Sequence, residues 1–337
     1  MSVTRIGLIG TGIAGRRRIA TLQERRDCLL VGTSAPGESV GPLHFMQPAG
    51  LLLRADLDAV IYAGPSQETA RTVSAALARG LSVLSARPPG LSVEDVIMLR
   101  QAEASSDGAV LQFSFPLHYH GSVTTAKALA RSGSFGRLVN MRGVYSYIRE
   151  PKTSGRGGVL FDRGMQMLDL MQDFAGPFTE VKSMISRDLW GEPDADDNAF
   201  ALLRTHEGVT AQLHASATWW RETFRLELGF EEGYVWLDGL THPEGRTGPE
   251  MLITARISRD PDGRPIANPE EQIREFTADN ALSLELADFL HAVRGRGPAR
   301  IGTSRQAFDA MNIVQRIYAD DATWQPVLPE TTSHAAE

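Results

Sequence analysis

The run Arg5-Ile6-Gly7-Leu8-Ile9-Gly10-Thr11-Gly12-Ile13-Ala14-Gly15 constrains this chain more than any other stretch. A short apolar strand that breaks into G-x-G-x-x-G and then opens a helix is how a βαβ unit receives a dinucleotide. Gly10 permits the tight turn, Gly12 lets backbone approach a pyrophosphate, and Gly15 lets the helix pack closely on its strand. The helix start offers unpaired N–H groups to phosphate. The spacing predicts that helix over residues 13–23, with Gly10, Thr11, Gly12, Ile13, Ala14 and Gly15 as cofactor-binding positions. A glycine-rich corner with no ligand uses the same residue types. The order of strand, fingerprint and helix is what favours the nucleotide site.

The segments that follow keep alternating. Residues 28–33 read as a second strand, 57–63 as a third, 81–85 as a fourth and 109–115 as a fifth. Helical patterns fall between them at 67–79 and after Ser92, where Asp95 stands three residues on as in a capping box. Residues 36–50 are rich in Pro and Gly and read as irregular. This alternation predicts a doubly wound parallel sheet of Rossmann type over residues 1–119. Ligands of such sheets sit at the carboxyl ends of the strands. Ala63, Gly64, Pro65 and Ser66, and also Arg87 and Pro88, should therefore join the opening turn in one crevice. An acid about 20 residues past the glycines grips the ribose 2′-hydroxyl in NAD-binding units. Thr33 or Ser34 holds that place here, and the nearest acid is Glu38. Loss of the carboxylate removes its repulsion of a 2′-phosphate, which favours NADP slightly over NAD. No arginine follows the strand; Arg16, Arg17 and Arg18 lie on the first helix.

From about Gly121 the pattern changes. A helix over 122–131 leads into a long strand, 138–147, and then into a basic, glycine-rich loop with Arg149, Lys152, Arg156, Gly157 and Gly158. After a helix that begins near Asp162 come strand-like runs at 181–187, 198–204, 210–217, 224–229, 234–237 and 251–256. Strands in succession predict an antiparallel sheet. Helices at 282–294 and 304–320 close the pattern, giving an α+β domain over 120–330. Residues 331–337 read as an unstructured tail.

A chain of 337 residues accommodates two such domains, and its net charge of −7 argues against a nucleic-acid or anionic-membrane binder. Cys28 is the single cysteine, so the sequence has neither a disulfide framework nor a thiolate metal site, and a reducing cytoplasm fits. No apolar run is long enough to span a bilayer, and the early apolar run is interrupted by glycine before it can serve as a signal peptide. His206, His214 and His242 are scattered, which predicts no metal site.

With these residues in hand, the chain resembles the glucose–fructose oxidoreductase/inositol dehydrogenase (Gfo/Idh/MocA) family. The resemblance includes the glycine fingerprint, the Ala63-Gly64-Pro65 turn at the place of a T-P turn, and Ala86-Arg87-Pro88 at the place of E-K-P. Residues 157–169 resemble its G-G-…-D-x-G-x-H-x-x-D segment. The resemblance implies hydride transfer between a nicotinamide and a small polar carbonyl, alcohol, imine or amine, such as a sugar or cyclitol. It also assigns substrate binding and oligomerisation to the 120–330 domain, implying a homodimer or homotetramer built through the C-terminal sheet.

The departures from the family pattern shape the chemistry. The usual lysine and histidine are replaced by Arg87 and Gln166, and Glu68 stands where a T-P-x-x-H histidine would fall. A guanidinium stays charged at any working pH and a carboxamide exchanges no proton. Both can hold and polarise a substrate; neither serves as general acid. Spacing of i, i+4, i+7 would put Asp162, Gln166 and Asp169 on one helix face. Candidate proton donors are Lys152, Tyr145, Tyr147, His118 and His120. The Trp219-Trp220 pair fits a pocket floor, a sheet edge or a subunit contact. Two other readings fit the same residues: a cofactor-binding sensor or partner subunit without turnover, and a redox-neutral epimerase or lyase with tightly held NAD.

Overall fold

The computed structural model describes residues 3–34, 47–148, 158–190, 195–240 and 248–324. The first sheet contains β1 (Thr4–Ile9), β2 (Cys28–Ser34), β3 (Ala59–Tyr62), β4 (Ser82–Ser85) and β5 (Leu111–Phe113), all parallel, in the order β2-β1-β3-β4-β5. Every residue of β3, β4 and β5 is buried, as a sheet covered on both faces requires. The alternating helices are α1 (Ile13–Gln23), α2 (Pro48–Leu52), α3 (Thr69–Leu77) and α4 (Val93–Ala104). Ser92 caps α4 by accepting the Asp95 N–H at 3.2 Å. The short helix α2 falls at the end of the stretch read as irregular. Its Leu51 is fully buried, so packing rather than propensity holds it.

The strand order places the switch point between β1 and β3. From β1 the chain crosses one way to β2 and then back past β1 to β3, so a crevice opens at the carboxyl end of β1.

The second sheet follows α5 (Gly121–Arg131). It comprises β6 (Leu138–Ile148), β7 (Phe178–Ser186), β8 (Asn198–Thr205), β9 (Thr210–Ser216), β10 (Thr218–Phe230), β11 (Gly233–Asp238), β12 (Glu250–Arg256) and β15 (Gln272–Phe276). Its order is β15-β12-β11-β10-β6-β9-β8-β7, antiparallel throughout except for the parallel pair β6–β9. A small hairpin, β13 (Ser258–Arg259) with β14 (Pro265–Ile266), stands apart from it. Helix α6 (Met165–Ala175) covers the inner face. Gly143 on β6 admits it: a Cβ there would come within 2.8 Å of Met167. Along β8, Ala199, Ala201 and Leu203 turn inward and are buried, whereas Phe200 and Leu202 turn outward.

Helices α7 (Ala281–Val293) and α8 (Ser304–Asp320) follow the second sheet in sequence, yet α7 packs on the first unit and α8 on both. Leu286, Phe289 and Leu290 of α7 share a core with Ile6, Leu8, Ile19 and Ile61. Met311, Val314 and Ile317 of α8 join a core that holds Val96 and Phe113 from the first unit and Leu168 from the second. The returning chain therefore completes the first sheet's cover and ties the two units together. No helix among the described residues is long and apolar enough to cross a membrane.

Candidate active site

Each fingerprint glycine has a distinct reason to lack a side chain. At Gly10, φ is +95° and a Cβ would lie 2.2 Å from the Ala63 carbonyl oxygen. At Gly15 a Cβ would lie 1.9 Å from the Gly10 carbonyl oxygen. At Gly12, by contrast, a Cβ would meet nothing within 4 Å. Two glycines thus close the fold around the turn while the middle one faces open space, the arrangement a diphosphate needs. Thr11 is buried and Ile13 is 63% exposed at the head of α1. The Ala63 N–H donates to Ile9 at 2.7 Å, so the Ala63-Gly64-Pro65 turn abuts the opening turn. The Tyr62 hydroxyl fixes that turn by donating to the Pro65 carbonyl at 2.6 Å. Ser66 begins a single 3-10 turn leading into α3. At the end of β2, Thr33 and Ser34 are buried, and the Ser34 carbonyl accepts the Gly10 N–H at 2.8 Å. The Thr33 hydroxyl has no partner among the described residues.

Arg87 follows β4 on a turn whose Ala86 N–H bonds Tyr62 at 2.7 Å, one strand beyond the glycines' neighbour. Its peptide bond to Pro88 is cis. Arg87 Nη1 donates to the Ser114 carbonyl at 2.9 Å and the guanidinium lies 5.8 Å over the Phe115 ring. Burial lowers its pKa, against the pull of the Asp162 and Glu285 carboxylates and with the opposing charge of Arg163 added. A guanidinium so placed stays charged at neutral pH. Behind it, Ser114 Oγ donates to buried Glu285 at 3.0 Å and accepts from Arg18 at 2.8 Å, and Arg18 and Glu285 form a buried ion pair. Three distant segments thereby fix one arginine from the rear.

Near enough for its Asp162 and Arg163 to act on the Arg87 charge stands a π-helical turn, Leu160–Gly164, that precedes α6. Its Asp162 side chain is 48% exposed, and Arg163 Nε lies 3.8 Å from the Asp162 carboxylate. Arg163 Nη1 donates to the Tyr145 hydroxyl at 2.9 Å, and the guanidinium sits 4.8 Å over the rings of both Tyr145 and Tyr147. Burial opposes the Arg163 charge, but Tyr145, Asp162, Tyr147 and Glu222 outweigh it and raise its pKa. Arg87, Asp162 and Tyr145, taken from three separate sequence segments, are thus brought together. Asp196 anchors the turn: its carboxylate accepts the Leu160 N–H at 2.9 Å and the Tyr318 hydroxyl, and its carbonyl accepts the Val159 N–H at 3.0 Å.

Residues 123–236 match the family model described as the GFO/IDH/MocA C-terminal domain. That match and the relatives support the Gfo/Idh/MocA family. The chain is 26% identical over 335 residues to a dTDP-3,4-didehydro-2,6-dideoxy-alpha-D-glucose 3-reductase from Streptomyces antibioticus, covering 94% of this chain and 96% of that protein. It is 24% identical over 216 residues to an inositol 2-dehydrogenase from Saccharopolyspora erythraea, covering 60% of this chain and 64% of that relative, just under two thirds of its length. A solved 3-ketoreductase from Actinomadura kijaniata, in complex with TDP-benzene and NADP, superposes with a TM-score of 0.76 at 22% identity, covering 95% and 98% of the two chains. The Rossmann-type first unit and the mixed-sheet second unit are the fold shared with that solved structure.

Other residues singled out in the sequence lie elsewhere. The π turn breaks the assumed i, i+4, i+7 face, because its wider winding swings Asp162 outward while Gln166 and Asp169 point into the protein, each 3% exposed. Gln166 Nε2 donates to the Asp162 carbonyl at 3.2 Å and so braces the turn. His118 is buried with both ring nitrogens engaged: Nδ1 meets Lys127 Nζ at 2.7 Å and Nε2 meets Asp169 at 2.5 Å. A lysine ammonium only donates, so Nδ1 accepts and the ring proton sits on Nε2. Gln306 and Asp173 extend this network, which packs α6 against α5 and α8. His120 is likewise committed, to Glu250 at 2.8 Å. Glu68 is exposed and pairs with Arg71. Lys152 lies outside the described residues, as do Glu38, Arg149, Arg156, His242 and the 331–337 tail. No group of three or more potential metal ligands occurs among the described residues. Arg163 and Glu285, whose charges act on Arg87, were not singled out in the sequence.

Proposed function

We propose that this chain is an NAD(P)-dependent oxidoreductase acting on a small polyhydroxylated carbonyl or alcohol, with Tyr145 as the proton-handling group. The observation that carries this reading is the opening over Gly12 at the switch point, on the same rim as Arg87. Gly10–Gly15 and the Ala63–Ser66 turn would hold the dinucleotide, with Thr33 and Ser34 at its ribose and Pro88 beside Arg87. The absence of an acid at Thr33 and Ser34 keeps NADP slightly ahead of NAD.

A nicotinamide bound there supplies hydride to, or accepts it from, a carbon of the substrate. The chain must then hold the oxygen and move one proton. Arg87 donates hydrogen bonds to the reacting oxygen and stabilises negative charge as it develops. Tyr145 supplies the proton for reduction and takes it back for oxidation. Its oxygen already accepts from Arg163, so its own O–H is free to point at a substrate. The phenolate left behind faces a guanidinium, which stabilises it. His118, with both nitrogens committed inside the protein, has no part in this step.

A homo-oligomer through the outer face of the second sheet belongs to the same reading. Met184, Phe200, Leu202 and Trp219, grouped there by strand register and by their packing around His214, are 77%, 43%, 63% and 40% exposed, an apolar patch of the kind that marks a contact surface.

The test is titration of the purified chain with NADH and NADPH, followed by nucleotide fluorescence, and then assay of NAD(P)-linked turnover on sugars and cyclitols. Micromolar binding with turnover is expected. Failure of both nucleotides to bind would sink the assignment; tight binding with no turnover on any substrate would favour a sensor.

A further inference from the structure

We propose that the substrate carries a carboxylate near the reacting carbon, received jointly by Arg87 and Arg163. The inference rests on the oxidoreductase reading and narrows it to a polyhydroxy acid.

The two guanidinium groups come from different units of the protein, one from the turn after β4 and one from the π turn, and the Arg163 charge opposes that of Arg87. Both are held from behind by neutral groups. Arg87 donates Nη1 to the Ser114 carbonyl and lies over Phe115. Arg163 donates Nη1 to the Tyr145 hydroxyl and lies over two tyrosine rings. This differs from how the chain treats other arginines: Arg25, Arg54 and Arg142 meet carboxylates at 2.9, 2.7 and 2.7 Å. Among the described residues Arg163 has only Asp162 at 3.8 Å as an ion-pair partner, and that carboxylate is half exposed.

The donor inventory points the same way. Nε of each arginine is buried without an acceptor. Nη2 of each makes no hydrogen bond among the described residues and is not sealed from solvent. Two amino groups therefore remain open, on guanidinium groups near enough for the Arg163 charge to act on Arg87. Five donors in a rigid planar fork match the two oxygens of a carboxylate better than a single hydroxyl. The remaining charges leave this demand unmet. Glu285 is committed to Arg18 and Ser114, Glu222 adds to the field at Arg163 without a hydrogen bond to it among the described residues, and Asp162 is half exposed. Replacement of a lysine and a histidine by Arg87 and Gln166 then exchanges proton-handling side chains for one that binds an anion, while Tyr145 keeps the proton.

The experiment pairs D-glucuronate and D-galacturonate with D-glucose and D-galactose on the full chain, after nucleotide binding has been measured separately. Binding is read by thermal shift in the presence of nucleotide, and turnover by NAD(P)+ reduction. The expected result is stabilisation by the acids and kcat/KM about 100-fold above the neutral sugars, as one desolvated charge-assisted pair would give. In Arg163→Gln the acid-over-neutral ratio should collapse toward one through a rise in KM, and Arg163→Lys should restore part of it. If nucleotide binds and the neutral sugars are used as well as the acids, or if neither class stabilises the protein, the carboxylate assignment is overturned and the oxidoreductase reading stands. If no nucleotide binds, both fall.

Discussion

The Tyr145 hydroxyl accepts a hydrogen bond from Arg163 Nη1 across 2.9 Å, and the same guanidinium covers the Tyr145 ring at 4.8 Å. The guanidinium therefore holds the phenol in one orientation. Tyr145 belongs to a long strand of the second sheet and Arg163 to a turn 18 residues later. The contact depends on the π turn, which aims Arg163 back at the sheet.

Replacing Tyr145 by Phe removes the hydroxyl and little else, since the ring still packs edge-on against Phe224 at 5.2 Å. General acid–base catalysis contributes roughly 100- to 10,000-fold. We expect kcat for the phenylalanine variant to fall by about that factor while nucleotide affinity stays within twofold. Steady-state kinetics beside a fluorescence titration checks this; undiminished kcat would remove Tyr145 from the mechanism.

The fingerprint glycines should respond in opposite ways. Gly15→Ala puts a methyl 1.9 Å from the Gly10 carbonyl, so it should lower Tm and nucleotide affinity together. Gly12→Val meets no protein atom near its Cβ and should leave Tm almost unchanged, yet weaken NADPH binding at least about tenfold by filling the space a diphosphate requires. A Gly12→Val protein that binds nucleotide normally would place the phosphates elsewhere.

The first sheet was legible because its signals are local. Strand periodicity, the glycine fingerprint and the Ser92 cap act within a few residues, and α1 and α8 fall at the predicted bounds. Much of the candidate site was not legible, for two physical reasons. A π turn carries no distinctive composition, so Asp162, Gln166 and Asp169 read as one face although two of them are buried. The supports of Arg87 are also remote in sequence: Glu285 lies 171 residues from Ser114, and an α7 that packs on the first sheet cannot be told by pattern from one that packs on the second. Nothing near His118 says that Lys127 and Asp169 will occupy both its nitrogens.

Asp196 gives a pH-dependent signature of the turn it anchors. Burial raises its pKa from 3.8 to about 6, despite hydrogen bonds from Tyr318 and the Leu160 N–H. The folded protein thus binds this proton more tightly than the unfolded chain. Its contribution to stability is fully present below pH 3.8 and is lost as pH rises through 6, amounting to about 3 kcal/mol at 1.36 kcal/mol per unit. Asp196→Asn keeps an acceptor for Leu160 and removes the titration. The variant should be the more stable protein above pH 6, with the gap closing below pH 4 in urea unfolding series. A gap independent of pH would mean that Asp196 titrates normally.

His214 works in the opposite direction and on the other side of the sheet. Its ring stacks on Phe200 at 3.8 Å and meets Trp219 edge-on at 5.1 Å, with Asn198 3.4 Å from Nε2. Burial there disfavours the imidazolium and lowers the pKa from 6.5 to about 4. A buried neutral histidine stabilises the fold fully above pH 6.5, and that contribution drains away as pH falls through 4, again by about 3 kcal/mol. His214→Gln retains a polar tip for Asn198 and cannot titrate. Because Asp196 is common to both proteins, its opposing trend cancels in the comparison. Wild type should therefore lose stability relative to His214→Gln as pH is lowered from 6.5 to 4, and the two unfolding curves should run parallel above pH 7. Parallel curves across the whole range would show that protons reach His214 freely and that the Phe200–Trp219 packing does not seal it.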